Sequence, residues 1–162
     1  MSLTYGFYNA VNNDRTYDAV QVSQLFDGLI GDGVYANFEK ALMVLASTSD
    51  PTEVIVQPGR AWFNHTWTYN DANLPITSLA PGVILDRIDA LVLDVNSDVS
   101  TRENTIIWVS GEESSTNPQK PTMIHTVSHN QYPLCYITRR AGINRPYKEV
   151  SSPGWNYPKD HR

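Results

Sequence analysis

From residue 41 onward the apolar side chains come in short runs separated by clusters of Asn, Asp, Ser, Pro and Gly, which is the pattern of strands joined by turns. It predicts strands over 41–46, 53–57, 59–64, 66–69, 88–95, 105–109, 123–127 and 134–138. Before them, Val20 or Val22, Leu25, Phe26, Leu29 and Ile30 fall near helical spacing behind Asp18, an acceptable N-cap, and predict a short helix over about 18–28. Gly28, Gly31 and Gly33 then turn the chain. They close a helix rather than open one, so they do not form a phosphate-binding loop. The fold class expected is mainly β, an antiparallel β-sandwich preceded by a short N-terminal helix.

Two hairpins stand out. Residues 60–69, turning at Asn64 and His65, set Trp62 and Phe63 beside Thr66 and Trp67 on adjacent strands, with both indoles expected to be buried. Residues 87–95 and 104–110 form a longer pair whose apolar residues lie on both faces, as in a covered central strand. The polar, Pro-bounded stretch 111–121 is expected to be a surface insertion. Residues 1–17 and 141–162 are aromatic and lack a sustained period, so they are expected to be arms that dock on a neighbour.

Length and composition narrow the class. A chain of 162 residues fits one domain, and an aromatic content of 10%, with four Trp and nine Tyr, supports an ordered core. Lys and Arg number 12 against 17 Asp and Glu, and the net charge of −5 comes with no basic cluster, which disfavours nucleic acid as a partner. No apolar run approaches the ~18 residues of a membrane span. The N-terminal residues lack a leader pattern, so synthesis in a host cytoplasm is expected.

Chemistry is sought without success. His125 and His129 have metal-like spacing only on a helix, and here the sequence is extended. Asp86 with Asp89 and Glu112 with Glu113 are paired carboxylates, yet the first pair opens a strand where Arg87 is expected to fix the loop, and the second lies in a solvated one. Ser23, Ser47, Ser110 and Ser128 lack a nucleophile-elbow context, and Cys135 sits in an apolar run. No catalytic, cofactor-binding or metal-ligating residue is assigned.

The aromatic residues admit two uses. Tyr5, Phe7, Tyr8, Tyr17, Leu25, Phe26, Trp155 and Tyr157 are candidates for an oligomer or partner interface. Trp67 and Tyr69 are candidates for a glycan platform, since aromatic faces stack on the CH groups of pyranoses. A wall-degrading hydrolase is a remote alternative resting on the scattered carboxylates.

The order of three segments adds a resemblance: 17–34 with its glycine turn, then Pro58, Gly59, Arg60, Ala61 and Trp62 within 56–64, then Asp86, Arg87, Ile88 and Asp89 within 85–94. Across about 5–140 the chain resembles the N-terminal, or shoulder, region of baseplate, upper tail-fibre and receptor-binding proteins from phages and prophages of Gram-positive bacteria. No single motif is specific; their order and separation carry the resemblance. It implies a structural virion protein at the tail tip, a β-sandwich attachment domain over 18–140, a homo-oligomer, expected to be a trimer, and contacts with other baseplate proteins. It departs from the family pattern in one respect: such proteins continue into a neck and a receptor-binding head, whereas this sequence ends at Arg162, as expected of a stand-alone adaptor or of the N-terminal part of a fibre.

Overall fold

The computed structural model describes residues 9–26, 28–50, 52–77 and 84–142, together with the backbone of Val150 and Ser151. The described part of the chain is mainly strand, in antiparallel sheets. Among the described residues one helix, α1 (Ala19–Gln24), comes first and ten strands follow: β1 (Gly33–Val34), β2 (Val44–Ala46), β3 (Glu53–Val56), β4 (Gly59–Phe63), β5 (Thr66–Asn70), β6 (Leu74–Thr77), β7 (Arg87–Asn96), β8 (Glu103–Val109), β9 (His129–Arg139) and β10 (Val150–Ser151).

Helix α1 begins as the sequence predicts. Asp18 accepts from the Gln21 N–H at 2.8 Å, and the Gln21 side chain accepts from the Asp18 N–H at 3.0 Å, a complete capping box. It is shorter than the 18–28 expected, because Val20 and Val22 are β-branched and the Ser23 hydroxyl bonds back to the Val20 carbonyl at 2.8 Å. Separate turns continue the chain to Gly28, where φ is +82°.

The sheets run β1-β4-β5, β2-β3-β6 and β10-β9-β7-β8. Val34, Val44, Val54, Val56, Ala61 and Phe63 from the two smaller sheets pack against Leu91, Leu93, Val95, Leu134, Cys135 and Ile137 from the large one, as the layers of a sandwich. Each fully buried Leu or Ile of this kind contributes about 1.5–3 kcal/mol. The Phe63 and Tyr132 rings stack across the layers at 3.9 Å. Polar ties close the rim: Asn104 Nδ2 donates to Thr68 Oγ1 at 2.9 Å, and Trp108 Nε1 donates to the Thr77 carbonyl at 2.9 Å.

Strand β9 holds Pro133, which has no N–H to give a ladder, and the β7–β9 register shifts between Leu91 and Val92, where Val92 faces Pro133. The predicted strand at 123–127 is instead an extended segment with one bridge, His125 to Asn130. The stretch 111–121 lies on the surface, as expected, with none of its residues buried, and packs back on the outer face of the large sheet. Gly111 sits so close to the Ile88 carbonyl that a Cβ could not be placed there, and the Lys120 ammonium lies 4.3 Å from the centre of the Tyr136 ring.

Among the described residues no helix is long and apolar enough to cross a membrane. Strand β10 pairs with β9 through Val150 to Ile137 and Ser151 to Tyr136, so part of the 141–162 segment lies on the edge of the large sheet.

Candidate functional site

The alternation in β4 sends Ala61 and Phe63 into the core and Arg60 and Trp62 outward. The turn at Asn64 and His65 has φ of 47° and 62°, the two positive angles that a tight hairpin turn of matching twist requires. It fixes the predicted register, with Trp62 opposite Trp67 and Arg60 opposite Tyr69. All four side chains therefore share one outer face.

The two indoles fare differently. Trp62 is 8% exposed, because the Phe26 ring meets it edge-on with centroids 5.8 Å apart, whereas Trp67 is 71% exposed. The expectation that the hairpin buries both is corrected: α1 and the turn after it reach only the β4 side of the face. Tyr69, at 41% exposure, meets Phe38 edge-on at 6.2 Å. The Arg60 guanidinium lies 4.4 Å from the Phe38 centroid and 4.3 Å from that of Tyr69. The Tyr69 hydroxyl donates to Glu39 Oε1 at 3.1 Å.

Phe26, Tyr35, Phe38, Arg60, Trp62 and Trp67 are among the residues that border a cleft of about 610 Å³. Burial raises the Tyr35 phenol above its ordinary pKa, with the Arg60 charge opposing, so it is a neutral donor at physiological pH. Phe38 and Glu39 ride on an unusual stretch of backbone in which Glu39, Ala41 and Leu42 all have φ near +50°. Each such residue costs roughly 1–2 kcal/mol. Leu42, buried in the core, and the Lys40 N–H, bonded to the Pro58 carbonyl at 3.0 Å, hold the stretch in place.

The structure thus brings together Trp67 and Tyr69, predicted as a glycan platform, with Phe26, predicted as an interface residue. Leu25 stands apart, 51% exposed. Tyr17 is partly buried. Tyr5, Phe7, Tyr8, Trp155 and Tyr157 lie outside the described residues. Sequence reasoning missed Arg60, Phe38 and Glu39, and the available signal was the one-residue alternation that places Arg60 beside Trp62.

Among the described residues, Asp86, Asp89, Glu113 and His129 are engaged structurally. Asp86 Oδ1 accepts from the Ala141 N–H at 2.9 Å, and Glu113 Oε2 accepts from the N–H groups of Ile84 and Leu85, each at 3.0 Å. Asp89 is buried between Arg87 and Arg139. His129 Nε2 lies 2.8 Å from Asp94 Oδ1, which also accepts from Gln131 Nε2 at 2.9 Å. Among the described residues no hydroxyl bonds the other nitrogen of His129, and no three side chains of metal-ligating type are grouped.

Cys135 is buried, and burial pushes its thiol up to about 12. The thiolate is the reactive form, so a pKa this high leaves almost none at pH 8. The native protein is expected to react with an aromatic disulfide reagent only as fast as it unfolds, and at once in denaturant; equal rates in both conditions would contradict this burial.

No protein-family model, no curated protein and no solved structure matches this chain.

Proposed function

We propose that the chain is a structural subunit of a phage tail tip or baseplate, anchoring a fibre or receptor-binding protein as a homo-oligomer, with a trimer the form expected. The observation that carries this is the surface around α1. Of the six helical residues only Ser23 is buried, while Val20 and Val22 are exposed, and beyond the helix Leu25 and Leu29 are 51% and 73% exposed. A helix this short is unstable in water by itself and owes its order to packing. These four large apolar side chains exposed within ten residues mark this segment as a contact with protein. A symmetric assembly covers it on every copy at once.

The ordered resemblance of 17–34, 56–64 and 85–94 to tail-tip attachment domains supports the virion role. Two tests follow. Gold-labelled antibody against the chain, applied to phage particles whose genome encodes it, should decorate the distal end of the tail; decoration of the head, or none, would count against the assignment. Replacing both Leu25→Ser and Leu29→Ser should reduce the assembly to single chains by light scattering while the circular dichroism spectrum stays that of the parent. An unchanged mass would remove α1 from the interface.

A further inference from the structure

Beyond assembly, we infer that the aromatic cleft on the outer face of β4 and β5 binds a neutral saccharide, with a pyranose ring stacked on Trp67 and its hydroxyls held by Arg60. The cleft volume, about 610 Å³, falls in the range of small-ligand sites, roughly 300–1,000 Å³. An exposed Trp is unremarkable alone. Trp67 instead borders the cleft, with Tyr69 and Phe38 held at its side, and among the described residues its indole N–H has no acceptor.

Arg60 selects the class of ligand. Two rings clamp its guanidinium, yet among the described residues it forms no ion pair and its side-chain N–H groups make no hydrogen bond. A guanidinium carries five donors in a fixed fork, and immobilising it in advance lowers the entropy lost when a ligand binds. A flat apolar surface beside such a fork matches a pyranose, which has CH groups on its faces and vicinal hydroxyls at its rim. Glu39, next in sequence to the wall residue Phe38, accepts from the Tyr69 hydroxyl and so holds that ring against Arg60.

Charge decides between neutral and anionic ligands. Among the described residues Arg60 is the one cationic residue lining the cleft, Glu39 bonds the Tyr69 hydroxyl, and the chain carries −5 overall. A polyanion needs several cations along its path and would be repelled at long range. A purely apolar protein partner fits poorly as well, since it would desolvate Arg60 and Glu39 without bonding them.

The test is calorimetric titration of the full chain with neutral oligosaccharides (cellohexaose, maltohexaose, mannohexaose and chitohexaose) and with polygalacturonate as the polyanion. At least one neutral oligosaccharide should bind, and Trp67→Ala and Arg60→Met should each weaken it by about tenfold or more, with Trp67→Phe retaining most of the affinity. Trp67 is exposed, so its variants should fold, which circular dichroism checks. Absence of binding by every neutral sugar, binding of polygalacturonate alone, or affinity indifferent to Trp67→Ala would overturn the inference. Light scattering separates it from assembly. If the parent self-associates and Trp67→Ala has the same mass, the two surfaces are distinct; if Trp67→Ala dissociates the assembly, the cleft is a subunit contact and the saccharide site falls.

Discussion

Replacing Asp89 by alanine is expected to remove a large share of the stability of the fold. Asp89 is fully buried, and its carboxylate serves three groups at once. Arg87 Nε and Nη2 donate to Oδ2 at 3.2 Å, the Gly111 N–H donates to Oδ1 at 3.1 Å, and Arg139 Nε lies 2.8 Å from Oδ2. Arg87 and Arg139 are register partners across β7 and β9, an opposition of like charges that Asp89 relieves. Arg139 is 3% exposed; its Nε contact with Asp89 is an ion pair whose angle falls short of a hydrogen bond, and its Nη2 is buried without an acceptor among the described residues. Burial already lowers its pKa, and Asp89 opposes that shift.

Asp89→Ala strands this guanidinium without a counter-charge, a loss of about 3–5 kcal/mol. Domains have only about 5–15 kcal/mol in all. Urea titration followed by tryptophan fluorescence should place the midpoint far below that of the parent, with little dependence on salt. The double variant Asp89→Leu with Arg139→Leu should recover most of the loss, because apolar side chains can replace a buried pair. An exposed pair would give under about 1 kcal/mol, and a result that small would refute the buried role.

The second large effect is expected at Gly59. A Cβ built there would collide with the backbone N of Leu42 and come within 3.0 Å of the Ala41 carbonyl carbon. Backbone anchored by a core leucine cannot give way as the tip of a flexible side chain can. Gly59→Val should therefore destabilise by about 3 kcal/mol, at the upper end of overpacking. It should also displace Phe38 and Glu39, so the cleft would lose its wall even where the fold survives. Gly31→Ala is the matched control, since a Cβ there meets nothing within 4 Å. Its urea midpoint should match that of the parent, and equal losses at both positions would show that close approach is not the reason for Gly59.

These two positions also mark what the sequence made legible. The Asp86 to Asp89 segment was readable as a strand opening fixed by Arg87, and Arg87 does bond Asp89; its partner Arg139, fifty residues on, could come only from tertiary pairing. The 60–69 hairpin was legible because its apolar alternation and its turn point to one register. The burial of Trp67 was misjudged because alternation tells which side chains share a face and not what covers that face.

Strand β6 escaped notice because Pro75 speaks against a strand, although an edge position tolerates it. The start of β9 escaped because His129, Asn130 and Gln131 look like loop. Asn130 and Gln131 are buried all the same, satisfied by the Thr126 carbonyl at 3.0 Å and by Asp94 at 2.9 Å. In the cleft, Trp67 and Tyr69 were visible as neighbours on one strand. Phe38 and Glu39 arrive from a loop whose left-handed angles fall on Glu39, Ala41 and Leu42, residues that do not announce them.

The mass of the native protein in solution bears most directly on the claim that sister copies cover the apolar surface around α1. Light scattering during gel filtration at micromolar concentration should return a whole multiple of the 18.2 kDa chain, three times that value for the trimer. A single species at 18.2 kDa across the concentration range would contradict it.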